Sequence, residues 1–552
     1  MRICSPDLNS VFKVKDVMTH LDHSPSDSAR TIQSSRHPIR WWPCILILLA
    51  EVIGLVWIWS FSDISRQEQN IRTTVTSAVI FGLLLVWLLF FSRARWRVRF
   101  EVFGAIVGAL LLAGALVRIR GVTGDLLPVL EWRWQPAKKA SLPLNQPVVP
   151  EGPSPTLADN TRQTGADYPQ FLGPQRNATV NGLILARDWK AEPPKQLWQQ
   201  PIGAAWSGFS IVGNQAITQE QRGERELVVC YDLLSGRLLW SHEDDARYHT
   251  TIAGEGPRAT PTIAGNRVYT LGATGLLNCL ALETGQPVWS KDIIRDNQAR
   301  TNDWGMSGSP LIVDDLVIVN PGGPANRSLV AYDKENGHFV WGGGNDAAGY
   351  SSPCLVTLAD VPQIVIFNAS AIAAHDPKSG KVLWEYPWPK GHPHVAVPIV
   401  LPNDRLLVSS AYGTGSELIH VVKDSEGKFT ASRVWKSIRL KAKFANVVFR
   451  DGYLYGLDDG TMVCLDATDG TLKWKEGRYG HGQVILVSDL LVVMAESGDV
   501  VLLEPLPQEN RELTRFPALR GKTWNPPALA GQYLIVRNDQ QAACYMLPTA
   551  KK

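Results

Sequence analysis

The sequence predicts an all-β molecule, an eight-bladed β-propeller preceded by a three-helix transmembrane anchor. Three observations in the 552 residues carry that prediction: a repeated Asp/Gly/Trp motif, a second set of strand starts between its copies, and three apolar stretches before residue 120.

The motif places Gly four residues after Asp and Trp four beyond that. It reads Asp232-Gly236-Trp240, Asp333-Gly337-Trp341, Asp376-Gly380-Trp384 and Asp466-Gly470-Trp474; a further copy, Gly285-Trp289, has Ala281 at the acid position. With Trp198 and Trp435 as the tryptophans of two degenerate copies, successive spacings are 42, 49, 52, 43, 51 and 39 residues, the length of one four-stranded blade. Each copy reads as a hairpin. An apolar strand ends at the Asp, the Gly takes φ > 0 in the turn, and the next strand ends in a Trp able to wedge between blades.

Between these hairpins stand eight clusters that each start an inner strand, at Ser207, Arg258, Ser307, Ser351, Val395, Phe444, Gly480 and Trp524. Pro261, Pro310, Pro353 and Pro398 fit the first residue of such strands, where a missing N–H is harmless. Eight inner hairpins over roughly 380 residues give about 48 residues per blade. The last blade lacks an outer strand after Leu547, so residues 196–201 are expected to supply it and close the ring.

Ahead of the propeller, 41–61, 75–92 and 102–117 are apolar stretches of membrane-spanning length. Glu51 lies inside the first, an ionisable residue at a depth where such groups are often functional or face the bundle interior. Arg93, Arg95, Arg97 and Arg99 crowd the short loop between the second and third stretches and place it in the cytoplasm. The N-terminal tail, with Arg30, Arg36 and Arg40, then lies inside as well, and the first loop and the propeller lie outside. Arg118 and Arg120 oppose this orientation only mildly, because large domains translocate despite such charges. The expected organisation is a cytoplasmic tail (1–40), an anchor (41–120), a linker (121–166) and a propeller (167–548), in the bacterial inner membrane and facing the periplasm. Residues 135–166 are rich in Pro, Ser and Thr, the composition of a tether.

With 55 basic and 52 acidic residues the chain is near neutral and carries no long basic block, which argues against a nucleic-acid surface. Cys230, Cys279 and Cys464 each stand two residues before the acid position of their repeat. Equivalent positions in different blades are too far apart to bridge, so these read as buried strand residues.

The Asp-x-x-x-Gly-x-x-x-Trp repeats resemble the pyrroloquinoline-quinone-type propeller repeat, shared by quinoprotein dehydrogenases and by non-enzymatic scaffolding relatives. The segments Asp167-Tyr168-Pro169-Gln170-Phe171-Leu172-Gly173-Pro174 and Gly256-Pro257-Arg258-Ala259-Thr260-Pro261-Thr262 narrow the likeness to membrane-anchored or exported members. In the dehydrogenases the resemblance implies a quinone supported by calcium on Glu, Asn and Asp side chains, with a carboxylate as base. The positions near the inner-strand starts here are of another kind. They offer Trp206, Arg258, Trp304, Tyr350, His394, Lys443, Arg478, His481, Lys522, Trp524 and Asn525, a basic and aromatic ring suited to an anion, a planar ligand or a peptide carboxylate. Channel-plugging tryptophans paired with structural cations are the plainer alternative. Arg258, His481 and Lys522 are expected to converge at one mouth of the channel. Acids could still reach the funnel from loops, at Asp346, Glu496 or Asp499.

His392 and His394 stand at i, i+2 without an acid or cysteine beside them and read as loop residues, so no metal site is expected. No catalytic residue is assigned. The expectation is a non-catalytic binding or scaffolding module, taking a protein partner or a small planar ligand and no cofactor. The alternative is a membrane-bound dehydrogenase of sugars or alcohols using pyrroloquinoline quinone and calcium.

Overall fold

The computed structural model describes residues 39–61, 64–134 and 167–550. The tail with Arg30 and Arg36 and the Pro-rich tether 135–166 lie outside the described residues.

Three helices come first, long and apolar enough to cross a membrane: α1 (Trp42–Val56) running on to Phe61, α2 (Arg66–Val86) running on to Phe91, and α3 (Trp96–Leu116). Ser65 caps α2, its hydroxyl accepting from the Glu68 N–H at 3.2 Å. Arg99 folds back to donate to the carbonyls of Leu89 at 2.5 Å and Ala94 at 2.8 Å, satisfying acceptors left open where the second helix ends. Glu51 accepts from the Ser77 hydroxyl at 3.1 Å, so it faces the neighbouring helix.

The chain leaves α3 directly into an antiparallel hairpin, β1 (Val117–Val122) and β2 (Pro128–Trp132). The sequence reading began a linker at 121; the start of that stretch instead belongs to this hairpin. Arg118 and Arg120 both pair with Glu131 across the hairpin, at 3.1 and 3.4 Å, and Arg120 also reaches Asp539 at 2.7 Å. Six residues of weak alternation between a helix and a Pro-rich run give little local signal, and the propeller contact is what orders them.

The propeller has the eight expected blades, at 210–244, 262–292, 311–343, 354–387, 399–437, 448–478, 483–517 and 528–546. Each predicted inner-strand start immediately precedes the first strand of a blade. Blade 8 takes its fourth strand, Lys195–Pro201, from the other end of the domain, pairing it antiparallel with Gln541–Met546 and closing the ring as expected. Blade 7 gains a fifth strand, Thr179–Val180, parallel to its inner strand.

The geometry explains the motif. Gly236, Gly285, Gly337, Gly380 and Gly470 all sit at φ between 69° and 74°, each directly beneath the Trp of the preceding blade. That Trp donates its indole N–H to the next turn: Trp198 to Leu233 O at 2.8 Å, Trp240 to Leu282 O at 2.9 Å, Trp289 to Lys334 O at 3.0 Å and Trp435 to Ala467 O at 3.1 Å. The motif acid shapes the turn, with Asp232 Oδ1 accepting from the Ser235 N–H at 2.8 Å and Asp376 Oδ1 from the Ser379 N–H at 2.8 Å. One motif thus supplies turn, socket and wedge. Trp384 departs from the pattern and donates to Gln363 within its own blade at 2.7 Å, because the facing turn of blade 5 is built from another sequence, around Asp424 and Gly427. Cys230, Cys279 and Cys464 are buried free thiols, as expected of strand residues.

Candidate functional site

Residues preceding the inner strands form one end of the central channel, and the tip of the β1/β2 hairpin sits in that end. Its residues 123–126 form a turn, the Leu126 N–H bonded to Thr123 O at 2.9 Å, with Gly124 and Asp125 at the central positions. The Asp125 carboxylate meets His481 Nε2 at 3.0 Å and the Arg478 guanidinium. Gly124 donates its N–H to Glu496 Oε1 at 2.7 Å, and its carbonyl accepts from Lys443 Nζ at 2.5 Å. Lys522 Nζ donates to Val122 O at 3.0 Å. A Cβ at position 124 would run into the His481 ring, so only Gly fits there. The first turn of α2 joins the same contact, Gln67 accepting from Lys443 and Asn70 donating to Asp125 O at 2.9 Å.

Behind the tip lies a cavity of about 250 Å³. Its walls are aromatic: Trp206 and Trp524 pack at a tilt with ring centres 4.8 Å apart, Phe444 lies 4.8 Å from Trp524, and Trp304 lies 5.5 Å from Tyr350. The cations rest on these faces. Lys522 Nζ is 3.9 Å from the Trp524 ring centre and 4.8 Å from that of Trp206, while Lys443 Nζ is 5.2 Å from Tyr412. At the opposite end, 167–180 crosses the channel along the inner strands. Tyr168 pairs with Ile211, Pro169 O accepts from Ile263 N at 2.8 Å, and Arg176 donates to Ser309 O at 2.9 Å and Pro310 O at 2.8 Å. Phe171 from this segment forms the cavity floor.

Burial dominates the electrostatics. It pushes the Arg258 guanidinium down to about 10, the Lys522 ammonium down to about 8 and the Lys443 ammonium below its usual range. Arg258 Nε donates to Trp304 O at 2.8 Å and Nη2 to Gly254 O at 2.9 Å, while buried Nη1 has no hydrogen-bond partner. Burial would raise the Asp125 carboxyl, but the His481 hydrogen bond and charge, with Arg478, outweigh it and hold this acid below the ordinary carboxylate range.

Beside this region the Glu226 carboxyl is pushed up to about 7 by burial, against the Ala273 N–H and the Arg258 charge, and its Oε1 is buried without a partner. Raised in the fold, this group contributes stability that is complete below about pH 4.5 and is lost as pH rises through about 7. We expect the unfolding midpoint of the wild type to fall between pH 5 and 8 by the equivalent of about 3 kcal/mol. Thermal unfolding of Glu226→Gln over the same range should show that component removed.

His481, Arg478, Lys443 and Lys522 contact the hairpin tip, while Arg258, Trp206, Trp304, Tyr350 and Trp524 line the cavity behind it. Two other residues of the sequence-predicted ring do not take part. Asn525 is buried outside the cavity lining, donating to Ala205 O at 3.0 Å and Ser207 O at 2.8 Å. His394 bonds Asn368 O at 2.7 Å and Pro389 O at 3.0 Å and stacks on Phe367. Glu496 does reach the mouth from a loop, but Asp346 bonds Ser370 N and Asp499 the Ser497 hydroxyl, away from the cavity. Sequence reasoning missed Gly124, Asp125, Gln67, Tyr412 and Phe171, which come from segments with no repeat signal.

A family model described as outer membrane protein assembly factor BamB matches residues 224–476 and 370–509, together more than half of the chain. Among curated proteins the chain is 28% identical over 222 residues to quinohemoprotein alcohol dehydrogenase ADH-IIG of Pseudomonas putida, covering 37% of this chain and only 28% of that protein's length. It is 24% identical over 307 residues to outer membrane protein assembly factor BamB of Burkholderia pseudomallei, covering 53% of this chain and 74% of that one. The solved quinohemoprotein alcohol dehydrogenase of Comamonas testosteroni shares the fold at a TM-score of 0.52 and 12% identity, covering 70% of this chain and 81% of that one. The matching repeats and the eight-bladed ring place this chain in the pyrroloquinoline-quinone-like β-propeller repeat family.

Proposed function

We propose that this protein is a membrane-anchored, extracytoplasmic propeller that works as a non-catalytic binding or scaffolding module for a protein or a small planar ligand. The observation that carries the reading is the cavity lining, which combines packed aromatic rings with Arg258 and Lys443 and, among the described residues, contains no Asp or Glu. Such walls favour an anion or a flat π-system. The likeness to BamB, a protein its name ties to outer membrane assembly, supports a protein partner.

The likeness to a quinohemoprotein dehydrogenase motivates the competing enzyme reading. Its quinone and calcium would need carboxylate and amide oxygens clustered at the channel. The acid at this mouth, Glu496, is committed to the N–H groups of Gly124, His481 and Trp524, and the described residues contain no acid, His or Cys cluster able to hold a metal. The residues present do not fit that group.

Three apolar spans and the arginine-rich loop at 93–99 support an inner-membrane protein with the propeller in the periplasm. Contacts of Gln67 and Asn70 with the mouth support that orientation, in which the start of α2, the end of α3 and the propeller share one side.

Titration of the purified full-length protein with pyrroloquinoline quinone and calcium tests the choice. The expected result is no saturable absorbance change, no thermal shift and no dye reduction with sugars or alcohols. Stoichiometric binding with dye reduction would make the protein a dehydrogenase.

A further inference from the structure

We propose that the propeller mouth is a receptor for an acidic Gly-Asp β-turn of a partner protein, which the chain's own hairpin occupies in cis. The inference rests on the binding-module reading and names the partner chemistry of that site. Three features of the mouth support it.

The first is specificity of shape and backbone. At the tip the mouth reads the occupant's main chain at Val122 O and at both the N–H and carbonyl of Gly124, and the side chain of Asp125; below the tip, Arg120 pairs with Asp539. The His481 ring excludes any residue but Gly before the acid. Little else about the occupant's identity is read, so another chain presenting the same turn would make the same bonds.

The second is charge. The cis occupant brings one carboxylate to a site holding Arg258, Lys443, Arg478, His481 and Lys522 against one acid of the propeller's own, Glu496, whose oxygens are taken by N–H donors. Arg478 and His481 take that carboxylate; Lys443 and Lys522 have only neutral oxygen acceptors, and Arg258 Nη1 has no partner. Buried cations matched to neutral oxygens gain from a second carboxylate, so a more acidic turn binds better than the resident one.

The third is space. Leu126 borders a cavity that the tip leaves unfilled, with Arg258 and Lys443 on its walls. An acidic side chain at the Leu126 position would enter it.

The test uses full-length protein in detergent and a fluorescent cyclic peptide carrying Val-Thr-Gly-Asp-Leu-Leu, read by anisotropy. The wild type should bind weakly, because its tethered tip competes at an effective concentration in the millimolar range. Asp125→Ala, which releases the tip, should bind about tenfold more tightly, and a peptide with Asp at the position of Leu126 about tenfold more tightly again. Adding Arg478→Ala and His481→Ala to that variant should abolish binding. Should Asp125→Ala keep its tip docked, as hydrogen exchange of 117–132 would report, a chain with 123–127 replaced by Gly-Ser-Gly-Ser-Gly takes its place. Failure of the opened protein to bind either peptide, or binding equal to that of the wild type, overturns the inference. A partner captured on another face would then leave the proposed function standing, whereas quinone turnover would remove that function whatever the peptide does.

Discussion

Glu220→Ala should lower the stability of the propeller by about 3–5 kcal/mol, the cost of breaking a buried ion pair by removing one partner. Glu220 lies at the seam where the ring closes. Its carboxylate accepts from Arg222 Nε at 3.0 Å, the Tyr231 hydroxyl at 2.6 Å and the Gly203 N–H at 2.5 Å, immediately after the closing strand. Arg537 of blade 8 reaches across the same seam to Gly203 O at 2.8 Å and Gln219 O at 2.9 Å, its guanidinium held down to about 10 by burial. The substitution removes the carboxylate that bonds Arg222 and whose charge offsets that of Arg537 inside the protein. Burial would raise the Glu220 carboxyl, but the Arg222 charge outweighs it and the group titrates below its usual range. A depressed acid contributes stability that is present above its unfolded value and lost as pH falls through the folded one. The defect should therefore be largest at neutral pH and shrink in acid. Thermal unfolding at fixed scan rate should show a drop of about 5 °C for a ring of this size. An unchanged midpoint would mean the seam does not depend on this cluster.

Gly337→Ala should cost about 2–6 kcal/mol. Its φ of 70° is strained for any residue with a side chain, worth about 1–3 kcal/mol, and a Cβ there would lie 2.8 Å from Trp289 Cδ2, adding an overpacking cost of about 1–3 kcal/mol. Gly452→Ala separates the two contributions. That glycine has φ of 86° with nothing within 4 Å of its Cβ position, so it carries the strain without the clash. Comparing the two denaturation midpoints isolates the Trp socket; equal losses would show that the socket adds nothing.

These two sites also mark how far the sequence could be read. Gly337 belongs to a repeat written five times over, and each copy fixes a turn and a socket, and all but that of Trp384 a wedge, through contacts only one blade away. Repetition makes such geometry legible. Ring closure was legible for a related reason: blade 8 visibly lacked a strand, and 196–201 was the matching segment left over. The mouth was legible in part, because residues just before inner strands must surround the channel, which brought Arg258, Lys443, His481, Lys522 and Trp524 into view. It was not legible that Asn525 and His394 turn aside, since backbone carbonyls claim both.

The hairpin tip could not be read at all. Asp125 and His481 are 356 residues apart, and Gly124 is required only because of that histidine ring. No local period or turn rule carries such a contact. The Pro-rich stretch after it pulled the reading towards a tether, although the strands at 117–132 pair before that stretch begins.

The central claim is that the chain's own hairpin closes the mouth of an aromatic, basic cavity, and hydrogen exchange of 117–132 in the full-length protein tests it most directly. Exchange in this segment should be slow in the wild type and become fast in Arg478→Ala/His481→Ala, while the blade strands stay protected. Fast exchange in the wild type, or no change in the double variant, would contradict it.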